Sequence, residues 1–171
     1  MTVDPRITAA LQDARDRQAL RDAVLAQVAK AGTAIKVTAQ SLPATVPGLD
    51  APAEAPATEA QLGALLDTLL PQVLAGVAQA RAAYGDRRLS VAEAAALATT
   101  VIGIVSAVVR DGAPLVKGAS ARALVLAIFG ALYDRYITPR LPAWLRPFAG
   151  MVKASAVRAL ETLYARIVKK P

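Results

Sequence analysis

GDRRLSVAEAAALATTVIGIVSAVVRDGAP, residues 85–114, decides the fold. It opens on Asp86, Arg87 and Arg88, passes through Ser90-Val91-Ala92-Glu93, carries no charge from Ala94 to Val109, and closes on Arg110-Asp111-Gly112. Ser with Glu three residues on is a capping box, in which the two side chains answer backbone N–H groups that the first turn of a helix leaves open. A helix therefore starts at Ser90 and runs to about Arg110, with Gly112 as a left-handed terminator. Its environment has three readings: a cation loop feeding a helix, a membrane span, or the core helix of a bundle.

Calcium fits poorly. Setting Leu89, Ser90 and Glu93 on the last third of an EF-hand loop makes Asp86 a ligand. Ala82 and Tyr84 then occupy the first and third ligand positions, and Arg87 the position of the turn glycine. Two oxygen ligands are missing and two arginines stand beside the site, so Asp86–Glu93 is a turn entering a capped helix. A span also fits poorly. Ala94–Val109 is sixteen residues, roughly 24 Å against a hydrocarbon core of about 30 Å. Glu93 and Arg110 bracket it, and Thr99, Thr100 and Ser106 dilute it. The next apolar run, Ala123–Tyr133, stops after eleven residues at Asp134-Arg135, too soon to return across. A helix apolar on all sides suits the centre of a bundle. Gly103 with Ala107, and Ala127 with Ala131, allow close helix approach in protein or in lipid. The core reading is preferred. Membrane insertion of residues 94–133 is the alternative, and a buried oligomer interface the third.

Outward from this helix the chain is punctuated by proline. Asp4-Pro5 starts a long first helix, since Asp can cap and Pro tolerates the first helical position. Ile7, Leu11, Ala14, Leu25, Val28 and Ile35 mark its seam to about Gln40, interrupted at Gln18, Arg21 and Gly32, with Asp13 and Arg17 as an i,i+4 pair. Residues 41–57, SLPATVPGLDAPAEAPA, hold four prolines and form a semi-rigid linker. Thr58-Glu59-Ala60-Gln61 is another capping box. It leads an apolar stripe from Leu62 to Val77 that Pro71 should kink or break, in a helix ending near Tyr84-Gly85. Ser120 caps a further helix through Ala123–Tyr136. ITPRLPAWLRPFAG is broken by three prolines, and an amphipathic helix covers Met151–Lys169.

In 171 residues, 55% are hydrophobic and only 4% aromatic, with alanine prominent. Alanine and leucine at this density favour helix. The class is all-α: a helical bundle of five or six helices, with residues 1–40 an N-terminal helical arm, 41–57 the linker and 58–171 the bundle. There is no Cys and no His, which removes disulfides, thiolate nucleophiles, ordinary zinc sites and the commonest general base. MTVDPRITAALQ carries no basic stretch followed by an apolar run, so no cleavable secretory signal is expected. The expected location is cytoplasmic, with a peripheral membrane position as the alternative.

Net charge is +7, unevenly placed. Residues 1–57 balance six bases against six acids, residues 58–109 carry three against four, and residues 110–171 eleven against three, net +8. Arg135, Arg140, Arg146, Lys153, Arg158, Arg166, Lys169 and Lys170 recur through the last segment, interleaved with Tyr133, Tyr136, Trp144, Phe148 and Tyr164. These eight bases, with Trp144, are the expected site for an anionic partner. One such partner is an anionic membrane surface, with Trp144 and Phe148 at the headgroup boundary. Another is nucleic acid, bound without sequence preference through phosphate neutralisation. The leading expectation is an interaction or assembly protein, with an acidic protein partner or self-association placed ahead of membrane and nucleic acid.

No GxGxxG, GxxxxGK[ST] or GxSxG motif occurs. Ser120 near Lys117 and Ser155 near Lys153 imitate a Ser-Lys pair, but two residues apart on a helix they face different ways. Neither enzymatic activity, cofactor, metal nor small-molecule substrate is expected.

Gly85-Asp86-Arg87-Arg88-Leu89-Ser90-Val91-Ala92-Glu93 ahead of an apolar helix resembles a pattern of small phage-encoded helical proteins, holin-like ones among them. The usual form there is Asp-Gly-x-Leu-Ser/Thr-x-x-Glu, and this chain has Arg87 at the glycine. The resemblance covers about 25 of 171 residues. It implies a membrane or virion role and no catalytic residues.

Overall fold

The Ser90 hydroxyl accepts from the Glu93 N–H at 3.2 Å and the Glu93 carboxylate from the Ser90 N–H at 2.9 Å. Helix α3, Val91–Gly112, starts where that box stands. The Thr58–Gln61 box closes in the same way, at 3.2 and 2.9 Å, and starts α2, Glu59–Ala82. The structure, a computed structural model, describes residues 5–32, 34–38, 54–85 and 88–168. The other α-helices are α1 (Pro5–Ala31), α4 (Gly118–Leu132) and α5 (Ala149–Val168). Between α4 and α5 lie a π-helical turn, Tyr133–Ile137, and two 3-10 segments, Thr138–Arg140 and Ala143–Phe148. The protein is an all-α helical bundle with one small sheet.

α3 is the hub, in contact with α2, α4 and α5, while α1 lies across α2 and α4. One continuous core joins Leu66, Leu69, Leu70 and Val73 of α2 to Leu97, Val101, Ile102 and Val105 of α3. Leu124, Ile128 and Phe129 of α4 and Val152 and Ala156 of α5 complete it. Phe129 and Tyr133 pack as a tilted aromatic pair, centroids 5.8 Å apart.

Several expectations are corrected. The first helix stops at Ala31, not near Gln40. Gly32 turns the chain at φ +62°, and Lys36–Thr38 form strand β1 instead. β1 pairs antiparallel with β2, Glu54–Pro56, in the register Lys36↔Pro56, Val37↔Ala55 and Thr38↔Glu54. The end of the expected linker is thus strand; its residues 41–53 lie outside the described residues. Among the described side chains of α1 the buried ones are Leu20 and Val24, whereas Leu11, placed on the expected seam, is 54% exposed. α2 passes through Pro71 without a break. Pro71 is on the exposed side, where water can satisfy the carbonyl that loses its partner.

Gly112 is not a left-handed terminator. It is the last helical residue of α3, and a Cβ on it would lie 2.5 Å from Leu69 Cδ2. The left-handed glycine of this connection is Gly118, at φ +56°. Ser120 does not cap α4. It is buried within the first turn, where its hydroxyl accepts from the Lys36 N–H at 2.9 Å and ties β1 to the bundle. Nor is α3 buried on all sides: Ala92, Ala96, Thr99, Thr100 and Gly103 form an exposed face.

Candidate functional site

Proline shapes the approach to the basic C-terminal region. Pro139, Pro142 and Pro147 lack an N–H and cannot sustain α-helical bonding, so the chain descends in 3-10 turns, with the Leu141 N–H on Thr138 O (3.2 Å) and the Leu145 N–H on Pro142 O (2.9 Å). Thr138 Oγ1 donates to Tyr133 O at 3.3 Å, satisfying a carbonyl at the π-turn. Tyr133 Oη donates to Ala149 O at 3.0 Å and fixes the start of α5. Burial, with Asp134 adding its charge, pushes the Tyr133 hydroxyl pKa above the ordinary tyrosine value.

These turns divide the side chains. Leu141, Leu145, Val152 and Ala156 point into the core. Trp144, Phe148 and Met151 point out, at 69, 52 and 71% exposure. Among the described residues only Leu11 and Val91 are comparably exposed large hydrophobics. The result is an apolar edge at residues 144–151, held from behind by buried neighbours.

The bases around this edge are not equivalent. Arg135 is ion-paired to Asp16 of α1. Its guanidinium lies 5.8 Å from the Tyr136 ring, over which Arg81 also sits, at 4.7 Å. Lys153 pairs with Asp134 at 3.1 Å and lies 5.8 Å from the Tyr133 ring. Arg135 and Lys153 are therefore engaged within the protein. Arg140 is half-buried and lines a cavity of about 320 Å³ with Ala78, Arg81, Ala82 and Gly85. Its carbonyl accepts from the Leu89 N–H at 3.1 Å, joining this segment to the lead-in of α3. Arg146 is exposed and only grazes Pro139 O, at 3.4 Å. Arg158 is exposed on α5. Arg166 belongs to α5, but its side chain, like Lys169 and Lys170, lies outside the described residues.

Trp144 and Arg146 are thus both exposed in one 3-10 segment, while Arg135 and Lys153 are held in pairs within the protein. Two features escaped the sequence reading. Met151 completes the apolar edge, a consequence of α5 starting at Ala149. Arg81 joins Tyr136 from a distant helix, for which no local signal exists.

The Ser-Lys imitations are otherwise occupied: Ser120 by the Lys36 N–H, and Ser155 Oγ by donation to Val152 O at 2.7 Å. Among the described residues no group of three or more Asp, Glu, His or Cys is placed to hold a metal. The stretch from Ala82 to Glu93, set against a calcium loop, includes Asp86 and Arg87, which lie outside the described residues.

α2 and α3 are long and apolar enough to cross a bilayer, with windows of mean hydropathy 1.3 and 1.9, of which 39% and 33% are buried in the bundle. A mostly buried core helix of a soluble protein passes the same test of length and composition, so the two helices are weak evidence for a membrane. Comparison with protein-family models, with curated proteins and with solved structures finds no match. The class of the protein rests on its fold, an all-α bundle bearing a basic, partly apolar C-terminal edge.

Proposed function

We propose that the protein is a non-enzymatic binding module that engages an anionic partner through its basic C-terminal region. One observation carries this reading. Residues 110–171 contain three acids, Asp111, Asp134 and Glu161. Each already holds a base of the same region: Arg110, Lys153 and Arg122 respectively. Within residues 110–171 the acids are thus used up, leaving a formal excess of +8. Among the described residues, Arg135 is met from outside the region, by Asp16 of α1. An excess of one sign on one region attracts and steers an oppositely charged partner.

The test compares two charge-matched variants on immobilised heparin across a salt series. Arg146→Glu/Arg158→Glu removes exposed bases from the C-terminal region; Arg15→Glu/Arg88→Glu removes exposed bases elsewhere. The first elutes at clearly lower salt than the second. Equal elution would mean that only total charge matters, and would overturn the assignment to this region.

A further inference from the structure

We propose that the anionic partner is a lipid bilayer surface, into which Trp144, Phe148 and Met151 insert at the headgroup boundary while exposed bases of the same region meet the lipid charge; this rests on the reading that the C-terminal region binds anions. Charge alone fits any polyanion. The apolar edge separates the candidates. Three large apolar side chains stand in water within residues 144–151, each more than half exposed. Phosphates of a nucleic acid offer them nothing apolar to cover, and of the three only the two aromatic rings can stack on a base. An interface between headgroups and acyl chains takes all three, and tryptophan is among the side chains that favour it.

Charge is available beside the edge: Arg146 is exposed within residues 144–151, and Arg158 is exposed further along α5. A leaflet of anionic lipid is a smeared charge that needs no fixed register, and attracts any base brought within a Debye length. The edge is also prebuilt. Leu145 and Val152 are buried beside the exposed trio, and Tyr133 bonds Ala149 between Phe148 and Met151. Little ordering remains for binding to impose.

Trp144 is the only tryptophan in the chain, so its own emission reads the event. The full-length protein is mixed with vesicles of phosphatidylcholine alone, with vesicles of phosphatidylcholine and phosphatidylserine, and with random-sequence duplex DNA, at low and high salt. The expected result is a blue shift of Trp144 emission and flotation with the phosphatidylserine vesicles only, both lost at high salt. Phe148→Ser/Met151→Ser changes two exposed side chains, leaves the circular dichroism unchanged, and lowers vesicle partitioning by about tenfold or more.

Flotation without a blue shift, or unaffected by that variant, would overturn insertion of the edge while leaving anion binding intact. A DNA complex with no vesicle binding would do the same. Failure to bind vesicles, DNA or heparin at low salt would overturn both this inference and the reading on which it rests.

Discussion

Tyr133 shows how much one residue can join. Its ring packs on Phe129 of α4, its hydroxyl donates to Ala149 O at the start of α5, and the Lys153 ammonium lies over its face. The pKa of the hydroxyl is raised, first by burial and then by Asp134. A raised folded value means that the native protein keeps a proton that the unfolded chain releases from about pH 10 upward. The contribution to stability is whole below that pH and is lost as pH climbs through the higher folded value. Tyr133→Phe removes both the hydrogen bond and this dependence. In urea denaturation at neutral pH the variant is less stable by about 1 kcal/mol. The gap to the parent then narrows at strongly alkaline pH. A gap that stays constant from neutral to alkaline pH would show that this hydroxyl does not titrate differently in the two states.

At the scale of elements, α2 and α3 pack closely because glycine stands where a methyl would collide. A Cβ at Gly112 would meet Leu69 Cδ2 at 2.5 Å, and one at Gly76 would meet Ile104 Cγ2 at 2.8 Å. Leu69 is fully buried and has little room to withdraw. Gly103, in the same helix as Gly112, has nothing within 4 Å of its Cβ position. Gly112→Ala is therefore expected to destabilise by about 1–3 kcal/mol through overpacking. Gly103→Ala is expected to stabilise by about 0.5–1 kcal/mol through helix propensity. Thermal melts of the two variants read the opposite signs directly, and shifts of the same sign would refute the packing argument.

These contrasts also mark what could be read beforehand. Both capping boxes were legible because a cap is settled within four residues, and the break at Pro139, Pro142 and Pro147 because proline acts on its own backbone; that the break takes 3-10 form was not. Gly112 was misread because its reason is Leu69, on another helix. Ser120 looked like a cap, yet its partner is the backbone of Lys36, and β1 itself exists only through β2. In the candidate site, the charge excess followed from sequence; the exposure of Trp144 did not, since a lone tryptophan among prolines fits a core position as well as a surface one. The capture of Arg135 by Asp16 and of Lys153 by Asp134 did not, since each is a product of packing.

For the whole molecule the question is which solvent surrounds α3. Its inner face, Leu97, Ala98, Val101, Ile102, Val105 and Val109, is buried against its neighbours. Its outer face is small and uncharged. Thr99 and Thr100 there return their hydroxyls to Ala95 O and Ala96 O, at 2.9 and 3.0 Å, a bond that serves in water or in lipid. Hydrogen bonding therefore does not choose between the two solvents; charge tolerance does. If α3 belongs to a bundle in water, Thr99→Lys/Thr100→Lys adds two solvated ammonium groups to an exposed face and shifts stability by no more than about 0.5 kcal/mol per site. In a helix lying across lipid the same lysines cost about 2.5–3.5 kcal/mol each near the bilayer centre. By contrast, Ile102→Asp places an unpaired carboxylate in the core and is expected to unfold the protein. The measurement is expression without detergent, followed by size-exclusion chromatography and a thermal melt. The double-lysine variant is expected to stay monodisperse and to melt within a few degrees of the parent. Should the parent come out of membranes only in detergent, with the lysine variant lost, α3 would be lipid-facing and the amphipathic edge at Trp144 would be flanking a span instead of acting as the anchor.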